Sequence, residues 1–194
     1  MKKLLLIIAT CILCAGTVSA QKAKQNRFEA GAGFAPYQLI PFDGGVGKKY
    51  DLAAYLELRR ASAGRHFEYG ARLDYKGGPA SYIYGISGEA LKDYKGTGHC
   101  ISLLAVADLL AMPGKTINPF IGVGAGTGLG LPLVSDGLTL PSQFLLLASP
   151  RAGLELFGHL RLSASATVAW GIESSRIYLA GGFLPVGVNV GWVF

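Results

Sequence analysis

The sequence predicts an all-β fold, an eight-stranded antiparallel up-and-down transmembrane β-barrel. Three observations predict it. Apolar residues alternate with small or polar ones along most of eight stretches, which in strands puts them on opposite faces. The connections between the stretches alternate long and short, the rhythm of a barrel with long loops at one end and tight turns at the other. The last ten residues put Val186, Val188, Val190, Trp192 and Phe194 on one face and Gly187, Asn189 and Gly191 on the other. Such a strand suits barrel closure, with its greasy side to lipid and its small side to the lumen.

Composition agrees. The 194 residues make one domain's worth of chain. Hydrophobic residues are 51% and charged residues 15%, against about 25% charged in soluble domains. After residue 20 there is no apolar run of the roughly 20 residues a membrane helix needs. Apolar content without such a run is what alternating strands produce.

The N-terminus reads as a secretory signal. Lys2 and Lys3 precede the apolar stretch from Leu4 to Cys14, and Val18-Ser19-Ala20 suits cleavage between Ala20 and Gln21. The organisation expected is a signal peptide at 1–20 and a barrel domain at 21–194. Cys14 is a poor lipid-bearing residue, because Leu13 stands where a small residue belongs. Without Lys2 and Lys3, the 18 basic residues become 16 against 12 acidic, a charge of +4. No dense Lys/Arg stripe accompanies it, so no nucleic-acid partner is expected. Cys11 and Cys14 leave with the signal, and Cys100 alone cannot form an intrachain disulfide.

The strands follow in order. Strand one, about 27–36, carries Phe28, Ala30, Ala32 and Phe34 on one face, and a Pro- and Gly-containing loop is expected at 37–47. Strand two, about 48–60, and strand three, about 65–76, alternate most clearly, and Ala61 to Gly64 joins them as a hairpin. The Gly- and Tyr-rich stretch 77–98 reads as a surface loop presenting Tyr82, Tyr84 and Tyr94. Strand four, about 99–110, is less clear because Leu104 and Val106 break its polar face. Strand five, about 118–131, sets Ile121, Val123, Ala125 and Leu129 against five alternating glycines. After a 132–141 loop, strand six, about 142–157, carries extra apolar Leu145 and Leu147. Its Pro150 predicts a bulge or an interruption. Strand seven, 159–171, follows a tight turn at Gly158, and a loop at 172–182 precedes the terminal strand.

This topology puts Phe28, Phe67, Phe120, Phe157, Trp192 and Phe194 near the rim that holds the termini. Phe34, Tyr50, Tyr75, Phe144 and Trp170 fall near the other. Two girdles of aromatics are what interfacial anchoring predicts.

Gly122 to Gly130 is no nucleotide loop. It repeats strictly every two residues and lacks G-x-G-x-x-G. Pro113-Gly-Lys-Thr116 resembles the end of a P-loop, but Leu109 stands where the first glycine belongs. The steric account is preferred: the glycines make room in a narrow barrel for Tyr55, Arg59 or Arg72 from the opposite wall.

The inward parity collects Glu29, Asp51, Glu57, Arg59, Glu68, Arg72, Asp74, Arg151, Glu155 and Arg161. Buried charges must pair, so a polar network is expected inside, centred on Glu57, Arg59, Glu68, Arg72, Arg151, Glu155 and Arg161. No catalytic site is expected. His99 and Ser102 take opposite parities, and His66 and His159 fall at the other end. No residues have metal-ligand spacing, and no cofactor is implied.

Signal, alternation, loop rhythm and the terminal Val190-Gly-Trp-Val-Phe194 together resemble the small outer-membrane β-barrel proteins of Gram-negative bacteria, the outer membrane protein beta-barrel domain or porin-like family. The resemblance covers the whole mature chain. It implies an integral outer-membrane protein, monomeric, with both termini periplasmic and with membrane lipid and lipopolysaccharide around it. It also implies transit on periplasmic chaperones and recognition of Trp192 and Phe194 by the barrel-assembly machinery. It implies no single activity. The expectation is a non-enzymatic structural or surface-interaction protein with a filled interior. A narrow porin-like channel is one alternative. A lipid A-modifying enzyme is another, although the His-x-Ser pair of such deacylases is missing here. A soluble periplasmic barrel would need the greasy parity inside and the arginines outside.

Overall fold

Closure is what the sequence demands of its terminal strand. A computed structural model describes residues 26–42, 45–62, 64–84, 92–134, 142–171 and 186–194. Among these lie β1 (Asn26–Phe42), β2 (Gly45–Ala61), β3 (Phe67–Tyr84), β4 (Lys92–Leu110), β5 (Ile117–Val134), β6 (Gln143–Leu156), β7 (Leu160–Ala166), β8 (Val168–Gly171) and β9 (Val186–Val193), and no helix. β7 and β8 both pair with β6 and are separated by Thr167 alone, so they form one stave. The eight staves are antiparallel to their neighbours. β9 closes the ring on β1, from Glu29 opposite Val193 to Phe34 opposite Val188. The Phe194 amide adds a hydrogen bond to the Phe28 carbonyl, 2.8 Å.

The predicted signal peptide, with Ala20 and Gln21 at its cleavage site, lies outside the described residues, as does the 172–182 loop. The start of β1 and the end of β9 share one end, the terminal end, with three tight turns among the described residues. In the turn at 157–158, both Phe157 (φ 56°) and Gly158 (φ 71°) are left-handed, and the His159 amide bonds the Leu156 carbonyl at 3.1 Å. Positive φ at both central residues matches the twist of the flanking strands.

The parity has the predicted sign. Leu52 is 69% exposed and Ile121 62%, whereas Arg59 is 1% exposed. Arg59, Arg72 and Arg161 point inward, the reverse of the greasy lumen that the soluble-barrel alternative requires. Among the described residues, the interior has only one small apolar cluster. Leu104, Val106 and Leu147 form it with Leu145 and Ala169 packed against them. These are the leucines and valine that blur alternation in strands four and six.

Several predicted boundaries need correction. The 77–98 loop is for the most part strand: β3 and β4 stay in register from Phe67 opposite Leu109 to Tyr84 opposite Lys92. Tyr82, Tyr84 and Tyr94 therefore sit on strands, not on a loop tip. In the predicted 37–47 loop, Gln38 to Phe42 likewise pair with Gly45 to Lys49, with an irregularity between Ala35 and Gln38 where Pro36 lies. β5 continues to Val134. The physical reason is that period two reports one apolar face. Above the apolar band both faces of a hairpin can be polar, and the signal vanishes.

Pro150 does not bulge its own strand. β6 pairs with β5 without a break, Pro150 opposite Val123. The interruption falls next door. The β6 ladder to β7 ends at Arg151–Ser165 and resumes with β8 at Ala148–Val168, leaving a gap opposite the residue that has no N–H to give.

Phe120 is also corrected. It is buried, 4% exposed, and its ring lies inside the barrel rather than in the rim girdle. The girdle it leaves still holds exposed Phe67, Phe157 and Trp192, with Phe28 against Phe194 at 5.9 Å between ring centroids. At the opposite end, Phe34, Tyr75 and Phe144 are exposed. The Tyr50 side chain lies outside the described residues.

Candidate functional site

Inward-facing charges from six staves meet in the barrel's terminal half. Nine of the ten predicted inward charges are described, and all nine are buried; the tenth, Asp51, has its side chain outside the described residues. Arg59, on β2, bonds Glu29 of β1 through Nη2 at 2.5 Å, approaches Glu57 through Nε at 3.1 Å, and donates from Nη1 to Glu68 of β3. Arg72 bonds Asp74 from Nε at 2.9 Å and reaches Glu57 at 3.5 Å, with its guanidinium 3.7 Å above the Tyr55 ring.

The cross-barrel clamp is Arg151. It donates Nη1 and Nη2 to the two oxygens of Glu57 at 2.7 and 2.8 Å, and Nε and Nη2 to Asp108 at 2.8 and 2.9 Å. Glu57 sits on β2 and Arg151 on β6, opposite staves of an eight-stave ring. The pair therefore spans the lumen, and its fork-to-carboxylate geometry fixes orientation as well as charge. Arg161 donates to the same Asp108 carboxylate at 2.9 Å and approaches Glu29 at 3.5 Å and Glu155 at 3.8 Å. Its guanidinium stacks 3.7 Å over Phe120, which explains why that phenylalanine turns inward.

Three members escape a sequence reading. Asp108 holds both Arg151 and Arg161. It shares the parity of Ser102 on strand four, but Leu104 and Val106 between them hide the pattern. Arg27 closes the terminal mouth, bonding Glu68 at 2.7 Å, Glu155 at 2.9 Å and the Gly158 carbonyl at 3.0 Å. Two residues before Glu29, it shares the inward parity. Tyr55 donates its hydroxyl to Glu29 at 2.6 Å.

Among the described residues the interior is electrically balanced. Arg27, Arg59, Arg72, Lys76, Arg151 and Arg161 face Glu29, Glu57, Glu68, Asp74, Asp108 and Glu155. Lys76 differs from the arginines, reaching the Thr167 hydroxyl at 3.2 Å. Between Lys76, Ser102, Ser149 and Thr167 is a cavity of about 30 Å³, room for a water or two. A wider vestibule of about 530 Å³ opens at the terminal end, lined by Arg65, Lys115, Asn118 and Phe157 and floored by Arg27, Glu68 and Glu155.

The glycines of strand five make room, but not for the residues predicted. A Cβ on Gly122 would collide with Asp108, one on Gly128 would meet Leu147 and Ser102, and one on Gly130 would approach Leu145. Tyr55 lies against Gly31 and Gly191 instead. The space in front of β5 is taken by its neighbours on β4 and β6, not by Tyr55, Arg59 or Arg72 from across the barrel.

Trp192 and Phe194 lie where closure needs them. Trp192 is exposed and its indole stacks on the His159 ring, 5.6 Å between centroids. His66 and His159 contact the Leu110 and Val193 carbonyls at 3.0 and 3.1 Å, bracing the terminal end. Ser102 is buried and His99 faces out, so they do not meet. Cys100 is half-buried. Among the described residues, no group of three or more His, Cys, Asp or Glu side chains is arranged to hold a metal. Neither a known protein-family profile nor a curated protein matches the chain.

Proposed function

We propose that the chain is an integral outer-membrane β-barrel of a Gram-negative cell, non-enzymatic, whose filled interior makes it a rigid structural and surface-contact element rather than a conduit. The observation that carries this reading is the inversion of faces. Large apolar side chains cover the outside, while a neutral network of arginines and carboxylates fills the inside. In water that outer face would be an aggregation hazard; against hydrocarbon it is the favourable one.

The outward stretch from Ile101 to Leu109 sets the scale. At about 3.4 Å per residue and a tilt near 40°, eight steps rise roughly 21 Å, close to the apolar band of about 25 Å in such barrels. On this reading the termini and tight turns are periplasmic, the long hairpins face outward, and Trp192 and Phe194 serve the assembly machinery after signal removal at Ala20. Membrane lipid and lipopolysaccharide surround a monomer. A narrow-channel role is disfavoured by the Glu57–Arg151 clamp across the lumen.

Two measurements test it together. Unboiled protein should run faster than boiled protein on a denaturing gel, and the chain should sediment with outer membranes. Identical migration, or release into the soluble periplasm, would sink the proposal.

A further inference from the structure

The inward charges balance in number but not in place. Arg27, Arg59, Arg72, Arg151 and Arg161 each meet a carboxylate. Lys76 does not. Its half-buried ammonium points into the lumen and donates to the Thr167 hydroxyl at 3.2 Å. No acid among the described residues lies within ion-pair distance of it. The inward acid nearest to it in the chain, Asp74, already accepts Nε and Nη2 of Arg72 at 2.9 and 2.8 Å.

The cavity beside Lys76 is bordered by donors. Arg72, Lys76 and Arg151 are the cations of its lining, and Asp74 is the acid. Ser149 and Thr167 share one hydrogen bond at 3.2 Å. Two hydroxyls carry two protons, so this pair keeps one to give, and Lys76 keeps two of its three. Ser102 is buried on the same lining and has no hydrogen-bond partner among the described residues. What this place lacks is negative charge. Water would complete the hydrogen bonds and leave the charge; an anion completes both. Size decides which anion. The cavity measures about 30 Å³, and a space of that order admits particles the size of water. A halide fits, whereas a phosphate, a sulfate or a sugar acid does not.

We propose that Lys76, Ser102, Ser149 and Thr167 form a binding site for one halide-sized monovalent anion such as chloride, inside the half of the barrel away from the terminal end. Lys76 supplies the charge, the three hydroxyls supply directed donors, and Arg72 neutralises the one acid of the lining. The site needs only the closed barrel and its parity, so it goes beyond the membrane reading and does not depend on it.

The test uses the full mature chain folded in a zwitterionic detergent. Sodium chloride is titrated against sodium gluconate at constant ionic strength, and the chlorine NMR line width is followed. The wild type should broaden the chloride line saturably, and bromide should narrow it again by competition. Lys76→Met should abolish the broadening. Ser149→Ala and Thr167→Val should each raise the half-saturating chloride concentration roughly tenfold, while Thr167→Ser, which keeps the hydroxyl, should bind as the wild type does. Lys115→Gln, at the terminal end, should change nothing. If Lys76→Met does not reach the fast-migrating folded form, Ser149→Ala and Thr167→Val decide alone. A line no broader than in protein-free buffer would leave the cavity to water and overturn the site. Broadening that bromide does not reverse, that survives both hydroxyl variants unchanged, or that falls as far in Lys115→Gln would overturn it too.

Discussion

Replacing Arg151 with methionine keeps an unbranched apolar stem and removes the guanidinium with its charge and its four hydrogen bonds. Two carboxylates lose a partner, both of them 1% exposed. Breaking a buried pair from one side costs about 3–5 kcal/mol, because the remaining charge stays buried. Here the residual partners soften the loss. Glu57 keeps Arg59 at 3.1 Å and Arg72 at 3.5 Å, and Asp108 keeps Arg161 at 2.9 Å. The expected cost is therefore near the low end, about 3 kcal/mol. With a urea dependence near 2 kcal/mol per molar, the unfolding midpoint in vesicles should fall by roughly 1.5 M. Glu57→Gln should also destabilise. The double variant should be more stable than the sum of the two losses predicts, by roughly 0.5–3 kcal/mol, since each single change leaves the other partner stranded. A loss below about 1 kcal/mol for Arg151→Met, or strict additivity, would refute the reasoning. The interior would then be wet enough to screen the clamp.

Other consequences follow from the same packing. A Cβ at Gly70 would strike the Leu58 carbonyl of the adjoining strand, whereas one at Gly130 has its nearest neighbour, Leu145 Cδ1, at 3.5 Å. Gly70→Ala should therefore lower stability by about 1–3 kcal/mol and Gly130→Ala by under about 1, read from urea midpoints; the reverse order would contradict the register. In planar bilayers the wild type should show no steady opening, and a large constant conductance would show that the network does not fill the lumen. Phe194→Ala loses the Phe28 contact and the terminal aromatic. Its level in the outer membrane should drop well below that of the wild type, and an unchanged level would remove Phe194 from the assembly signal.

The strand order, the sign of the parity and the terminal closure are legible in the residues because a half-apolar strand writes its period into the sequence. Strands two, three and seven do so plainly. Where a strand writes no apolar face into its sequence, as in residues 78–84 paired with 92–98, Gly and Tyr read as loop although the ladder continues. The charged site is legible as a set but not as a geometry. Parity identifies Glu57 and Arg151 as inward, but only the stave count and stagger make them opposite one another. Asp108 is hidden by apolar Leu104 and Val106, which line the other part of the lumen. The hydrogen-bonded chain Tyr75–His99–Thr97 is missed for a different reason. Ser102 takes the parity opposite to His99, while the hydroxyl partner of His99, Thr97, stands two residues away on its own face.

The two faces of this barrel reverse the usual map of sensitivity. In a water-soluble domain the apolar core carries the stability and surface charges contribute little. Here the outward leucines have partners on few sides; Leu52 and Leu58 are 69% and 57% exposed to whatever surrounds the barrel. What holds opposite walls together is charge, and it holds because, among the described residues, the carboxylates and cations inside are matched in number and closely placed. An excess charge of either sign would either draw water into the lumen or push the walls apart. Outward substitutions such as Leu58→Ala should consequently be milder than inward ones such as Glu57→Gln, even though the two side chains are neighbours on one strand. If the outward change proved the costlier, the barrel would be held chiefly by its surroundings rather than by its own interior.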